Sequence, residues 1–336
     1  MQKDVKLIIE ENYKIGSVLT IEKIGSGLIH DTYRITASNG KFIFQKLHKS
    51  LSSHGISNDF YNITEHLATR ECLAPAVIKT LSGKILCEDE GSVWRMQSDL
   101  GGNTHDRITT NSIAYEAGGM LAKFHNAMRD FEKPFESDFV LHNTQKELDA
   151  LKLSLKNTSA DLLTQEVSDI ADQILRNAQK LLLPSDLPIW VIHGDPKVSN
   201  ILFDKEKAIA IIDLDTCQRG SVLLDLGDAF RSWCRTGEGE NCVFDIDLFR
   251  SAWQGYSDQI KGLSKIEISY VAQAIKLITL ELAARFLTDY FLDFYFSWDP
   301  KQYPSRRAHN LIRAKGQVRL FEDECQKEQI MMKFCF

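Results

Sequence analysis

Hydrophobic and polar positions divide this chain into a strand-rich beginning and a helix-rich remainder. Residues 2–15 read as a short amphipathic helix with Val5, Ile8 and Ile9 on one side. Val18 to Ile24 and Thr32 to Thr36 are β-rich runs flanking the turn that begins Gly25-Ser26-Gly27, which predicts a hairpin around a glycine-rich loop. Lys41 to Leu47, KFIFQKL, predicts the next strand, and Phe60, Ile63 and Leu67 give Asp59 to Ala68 a helical period. Ala76 to Ile78, Ile85 to Cys87 and Val93 to Gln97 read as further strands, with turns at Ser82-Gly83 and Glu90-Gly91, completing what is expected to be a five-stranded sheet. Beyond Gly101-Gly102 the period becomes helical. Ser112 to Met128 predicts one long helix, 143–183 one or two Leu-rich helices, and Val271 to Tyr290 a strong amphipathic helix with Val271, Ala274, Ile275, Ile278 and Leu282 on its apolar face.

The stretch from Trp190 to Asp215, WVIHGDPKVSNILFDKEKAIAIIDLD, interrupts the helical region with strands. Ile189 to Ile192 reads as a buried strand, and His193 to Pro196 break it into a loop that carries Asp195. Ile201 to Phe203 and Ala208 to Ile212 flank the charged turn at Asp204 to Lys207, the pattern of a hairpin. Folding that hairpin about Lys205 and Glu206 brings Asn200 opposite Ile211 or Ile212, which makes Asn200 and Asp213 neighbours. An amide and a carboxylate side by side, with a second carboxylate just upstream, suit phosphoryl transfer. That chemistry needs a divalent cation on oxygen ligands and one carboxylate aimed at the attacking hydroxyl. Asn200 and Asp213 are the candidate Mg²⁺ ligands, and Asp195 the candidate base.

Composition narrows the partners. The 336-residue chain is long enough for two lobes, and a net charge of −6 without a Lys/Arg block argues against nucleic acid or an anionic membrane as the main partner. The N-terminus carries charges on both sides of only three apolar residues, unlike a signal peptide, and Lys276, Glu281 and Arg285 interrupt the most apolar later stretch. Seven scattered cysteines without a C-x-x-C spacing fit free thiols in a reducing cytoplasm and offer no zinc site. A cytoplasmic protein is expected; its oligomeric state is left open.

His193, Asp195 and Asn200 in the order H-x-D-x-x-x-x-N, followed by a hairpin ending in I-D-L-D, resemble the catalytic segment of the aminoglycoside phosphotransferase and choline kinase superfamily. The resemblance implies an α+β, protein-kinase-like two-lobed fold, with residues 1–97 as a nucleotide-binding N-lobe and 98–336 as a mostly helical C-lobe. It further implies Mg²⁺ and ATP as cofactors, Asp195 as base, Asn200 and Asp213 as metal ligands, and Lys197 as the basic residue at the γ-phosphate. Gly25 and Gly27 would let backbone N–H groups approach the phosphates, and Met96 to Asp99, including Gln97, would form the hinge that reads adenine. In such folds a strand lysine grips the phosphates. Here Gln45 and Lys46 compete for that place on opposite strand faces, and the usual pattern favours position 45, which leaves Glu65 without its ion pair.

After the catalytic segment, Asp225, Asp228 and Arg231 share a helical face, where Asp225 either buttresses the loop or caps its helix. GLIHDTY, FIFQKLH, VWRMQ, HGDPKVSN, IDLDT, RFLTDY and RRAHNLIRAKGQ extend the resemblance to one branch, the N-acetylhexosamine 1-kinases. This implies a hexosamine as small-molecule partner. Asp215, on the same face of an extended segment as Asp213, is a candidate for reading sugar hydroxyls; Arg285 is a candidate for holding the sugar or the phosphate. Arg306, Tyr295, Trp298 and Asn310 are weaker substrate-binding candidates. Glu281, Arg285 and Asp289, at i, i+4 spacing, otherwise read as a surface salt-bridge ladder. Kinases of other small alcohols and an inert nucleotide or sugar sensor are the competing readings.

Overall fold

The computed structural model describes residues 4–24, 30–70 and 72–336. Helix α1 (Val5–Asn12) starts at Asp4, whose carboxylate accepts the Lys6 N–H, and leads into β1 (Val18–Ile24), β2 (Asp31–Ala37) and β3 (Gly40–Lys46). Helix α2 (His54–Ala68) is capped by Ser53, and β4 (Val77–Ile78), β5 (Cys87–Asp89) and β6 (Ser92–Ser98) follow. The strands form an antiparallel sheet in the order β1-β2-β3-β6-β4, with β5 paired to the first half of β6. Among the described residues the sheet therefore has six strands, one for each of the six runs read from the sequence and one more than the five expected of it, with Cys87–Asp89 as a short hairpin arm beside the main path.

The helical part comprises α3 (Asn111–Ala127), α4 (Thr144–Asn157) and α5 (Gln165–Ala178), then β7 (Trp190–Ile192) and the hairpin β8 (Ile201–Asp204) and β9 (Lys207–Ile211). β10 (Gln218–Gly220) pairs antiparallel with β7 and runs into α6 (Val222–Trp233). The short pair β11 (Arg235–Thr236) and β12 (Val243–Phe244) precedes α7 (Ile246–Ser257), α8 (Lys265–Ser269), α9 (Val271–Leu292) and α10 (Arg306–Cys335). No helix among the described residues is long and apolar enough to cross a membrane.

Three apolar clusters hold these layers. Ile8 and Ile9 of α1 pack with Phe44, Trp94 and Met96 on one face of the sheet, where the Phe44 and Trp94 rings stack at 4.8 Å. The other face borders a cleft. Phe60, Ile63 and Leu67 of α2 join the largest cluster, together with α3, β7, the β8–β9 hairpin, α6 and α7, so the helix that follows β3 shares its core with the second lobe. Helices α4, α5, α9 and α10 form the third cluster. The apolar C-terminal tail packs within the chain: Met331 and Cys335 are buried in the largest cluster. Six of the cysteines are buried and Cys325 is exposed, and none of them is in a disulfide.

The linker and the α3–α7 crossing set the spacing of the second lobe. Gly101 and Gly102 both have positive φ, and Asn103 then exchanges backbone hydrogen bonds with Phe203, tying the linker to the hairpin. A Cβ on Gly118 of α3 would lie 2.0 Å from the Ala252 carbonyl oxygen, and one on Gly255 of α7 would lie 1.9 Å from that of Tyr115, so neither position can carry a larger residue without separating the helices. Gly118→Ala is expected to destabilise the fold by about 1–3 kcal/mol through this overpacking. A lower urea midpoint at an unchanged m-value would register it, and an unchanged midpoint would count against the close crossing.

Candidate active site

The segment after β7 is held from three sides. The His193 and Gly194 N–H groups donate to the two carboxylate oxygens of Asp225, at 2.7 and 2.8 Å, and His193 Nε2 meets the Ile212 carbonyl at 2.9 Å. Ser221 caps α6, so Asp225 is free for its buttressing role. Burial pushes the Asp225 carboxyl up, but His125, which bonds it at 2.9 Å, and the loop N–H groups outweigh this and hold it below the usual range. Gly194 needs its positive φ, and a Cβ there would fall 2.4 Å from the Thr216 carbonyl oxygen. From the far side His142 Nε2 reaches the Gly194 carbonyl at 2.9 Å, while its Nδ1 meets Glu281 at 2.8 Å.

This scaffold brings the predicted residues together. β8 and β9 pair with Ile201 opposite Ile211, and the Ile212 N–H donates to the Asn200 carbonyl at 2.8 Å, the register expected from the sequence. Asp213 follows in the left-handed region, φ 66°, which bends the chain sharply out of the hairpin. The Asn200 amide nitrogen donates to the Asp195 carbonyl at 2.8 Å, so its Oδ1 is free among the described residues to act as a ligand. Lys197 Nζ donates to Asp195 Oδ2. Burial pushes the Lys197 ammonium down, but the Asp195 and Asp213 carboxylates outweigh it and raise its pKa. Asp213 is pushed up by burial and by Asp215, with Lys197 offsetting part of the rise. Lys197, Asn200 and Asp213 line a cleft of about 340 Å³ between the sheet and this segment.

The sheet supplies the opposite wall in two rows across β2, β3 and β6: Thr32, Gln45 and Arg95, then Arg34, Ile43 and Gln97. Strand alternation settles the choice at positions 45 and 46. Gln45 faces the cleft, whereas Lys46 is turned to the other face with its ammonium 5.8 Å from the Trp94 ring, which corrects its assignment to nucleotide binding. The Met96 side chain is buried beside Phe44 and Trp94, away from the cleft, so only its backbone is left for the hinge contact expected of Met96 to Asp99. Glu65 is exposed, as expected once position 45 is Gln. Gly25 and Gly27 lie outside the described residues.

Arg95 is the site residue that sequence reasoning missed. Its side chain is 1 % exposed, forms a bidentate pair with Asp215 at 2.6 and 2.7 Å, donates to Gln45 Oε1 at 3.0 Å and stacks on Phe60 at 3.6 Å. Its position two residues before Gln97, on the same strand face, was the available signal. Asp215 is accordingly not poised to read a sugar. The turn at Asp213 starts a short 3-10 helix, Leu214–Thr216, so Asp215 does not continue an extended segment, and the Arg95 guanidinium overcomes burial to hold its carboxyl well below the usual range. His30, Asp213 and Asp215 lie close enough together to suggest a metal cluster. However, His30 Nδ1 accepts the His48 N–H, so Nε2 is the protonated nitrogen of the neutral ring and points towards Asp215 at 3.5 Å. The oxygen ligands that remain available are those of Asn200 and Asp213, a donor set that suits a hard divalent cation.

The helix expected to carry a surface salt-bridge ladder is buried. Glu281 is 1 % exposed and takes His142 and the Thr144 hydroxyl; Asp289 is 3 % exposed and accepts the Phe294, Tyr295 and Phe296 N–H groups and the Asn310 amide. One turn beyond Glu281, Arg285 lies 5.9 and 5.7 Å from the Tyr295 and Phe296 rings. Arg306 bonds the Asp293 carbonyl at the α9–α10 junction and does not line the cleft. Burial alone would lower the His142 pKa, but Glu281, Asp228 and Asp225 outweigh it and raise it to about 9. With the folded value above the unfolded one, the stabilisation is full below about pH 6.5 and is lost as pH rises through about 9. The melting-temperature advantage of the wild type over Glu281→Gln should therefore be largest near neutral or lower pH and shrink as pH passes 9; a constant advantage would contradict a charged pair.

Comparison with known proteins bears on the family and the fold. The profile of the phosphotransferase enzyme family (APH) matches residues 20–251. A homoserine kinase of Neisseria meningitidis serogroup B is 24% identical over 286 residues, covering 84% of this chain and 87% of that protein. The fold is shared with amicoumacin kinase hAmiN in complex with AMP-PNP, Ca²⁺ and Ami, at TM-score 0.65 and 12% identity over 94% of this chain and 93% of that one. It is shared equally with a microcompartment-associated aminopropanol kinase, at TM-score 0.65 and 14% identity over 96% and 97% of the two chains. With an antiparallel N-lobe sheet, a helical C-lobe and a family match over more than half its length, the chain belongs to the APH phosphotransferase family.

Proposed function

We propose that this protein transfers the γ-phosphoryl group of ATP to a hydroxyl of a small molecule, and that the acceptor is an N-acetylhexosamine phosphorylated at its anomeric hydroxyl. The observation that carries the kinase reading is the convergence of Lys197, Asn200 and Asp213 on one cleft between the two lobes, which meet near residue 98, with Asp195 bonded to both Lys197 and Asn200 behind them. ATP occupies the cleft with its base towards Gln97 and Asp99. Asn200 and Asp213 would hold Mg²⁺, which when bound would supply neutralisation of charge on the phosphate oxygens. Asp195 accepts the proton of the attacking hydroxyl, and Lys197, already paired with Asp195, meets the charge of the transferring group. Positioning supplies much of the rate, which is why the catalytic loop is bonded by Asp225 and His142 before any substrate arrives.

The sugar reading rests on Arg285 and the Tyr295 and Phe296 rings, a cation beside aromatic faces, joined to the catalytic loop through Glu281 and His142. Tyr295 is 57% exposed and available for stacking. A second reading, a homoserine or amino-alcohol acceptor, is favoured by the names of the relatives and by Asp228, which pairs with Arg231 and adds its negative charge to those that raise the Lys197 pKa. A cytoplasmic location goes with either substrate class. The discriminating experiment is ADP release from MgATP against GlcNAc, GalNAc, homoserine, 1-amino-2-propanol, choline and kanamycin. Turnover confined to the N-acetylhexosamines is expected, and turnover with homoserine or an amino alcohol alone would replace the sugar reading. Asp195→Asn should lower turnover about 10²–10⁴-fold with MgATP affinity near that of the wild type; equal loss of both would remove Asp195 from the role of base.

A further inference from the structure

Resting on the kinase reading above, we propose that Gln45 and Arg95 together replace the strand lysine that grips the nucleotide phosphates in kinase-like folds. Gln45 is the residue that touches the phosphates, and Arg95 is the positioning residue that fixes which end of its amide faces them. The two side chains are directly opposite on β3 and β6, beside Thr32 on β2, and all three border the cleft. Gln45 Oε1 accepts a hydrogen bond from Arg95 Nη2 at 3.0 Å. Rotating the amide by half a turn would put its NH₂ group against the guanidinium, donor against donor. The Nε2 group is thereby turned towards the cleft with no partner among the described residues, and it offers two N–H donors.

Arg95 cannot supply the missing charge itself. Both of its Nη atoms are engaged by Asp215, its guanidinium lies over the Phe60 ring, and its side chain is buried. What it contributes is orientation and polarisation of the neighbouring amide. Lys46 faces the other side of the sheet, and Glu65, the residue that would pair with a lysine at position 45, is exposed. The N-lobe grip in this row is therefore a neutral donor meeting an anionic oxygen, worth about tenfold in affinity. It also follows that restoring a lysine should not restore a stronger grip, because its ammonium would compete with Arg95 for the same carboxylate and lie beside a like charge.

Calorimetric titration of the full chain with MgADP and, separately, adenosine tests this. Gln45→Ala is expected to weaken MgADP about tenfold and leave adenosine unchanged, since only the diphosphate reaches the amide. Gln45→Glu should weaken MgADP further, because its carboxylate turns one oxygen to Arg95 and the other to the phosphates. Gln45→Lys should not bind MgADP more tightly than the wild type. Arg95→Lys, which keeps the charge opposite Asp215 but loses the planar fork, should weaken MgADP and spare adenosine, with its melting temperature reported alongside. The proposal is overturned if Gln45→Ala binds MgADP like the wild type, if it weakens adenosine equally, or if Gln45→Lys binds more tightly. Wild-type protein that binds neither MgADP nor MgATP would overturn the kinase reading itself, a result separable from any of these.

Discussion

The buried pair between Arg95 and Asp215 is the contact on which the geometry of the cleft depends. Arg95 belongs to the sheet and Asp215 to the turn that follows the candidate metal ligand Asp213, so the pair fixes the distance between the two walls. Taking two charges out of water is costly, and the bidentate geometry, the Gln45 carbonyl oxygen and the Phe60 ring are what offset it. Such a pair adds little net stability compared with an apolar contact, but losing one partner leaves the other buried and unpaired. Its selective value is register: Asp213 keeps one position relative to the sheet because its neighbour but one is held by Arg95 through both carboxylate oxygens.

The catalytic loop shows the same economy on the opposite side. Asp225 accepts two consecutive N–H groups from His193 and Gly194, and His142 takes the carbonyl of Gly194, so both faces of one peptide segment are bonded to side chains from distant elements. The loop has neither helix nor strand to satisfy its backbone, and these side chains do that work. Asp195 and Lys197 are thereby presented on a support that does not need a substrate to be assembled.

What the sequence revealed, and what it hid, follows from the range of the interactions. The β8–β9 hairpin could be read because its turn and register are local, and they placed Asn200 beside Asp213. Strand alternation, local too, put Gln45 and Lys46 on opposite faces, and the usual kinase-like pattern then favoured position 45. The pairings of Arg95 with Asp215 and of His142 with Glu281 were invisible because the partners lie 120 and 139 positions apart, and no spacing rule connects them. Asp215 was misplaced because a left-handed residue at Asp213 ends the alternation that the reading extended past it. Helix α9 was read as amphipathic with a surface ladder, yet helices and loops cover it on most sides; its charged residues are buried because their partners arrive from α4, α10 and the segments around them.

The small helix α1 has a bearing on where this protein can be cut. The family match begins at residue 20, beyond α1, and ends at residue 251, before α9. A fragment trimmed to those limits would strip Ile8 and Ile9 from Phe44, Trp94 and Met96, leaving one whole side of the sheet facing water, and would take Glu281 away from His142. The span by which the chain is recognised is thus smaller than the span that folds, and expression boundaries drawn from resemblance alone would remove the parts that give the recognised part its core.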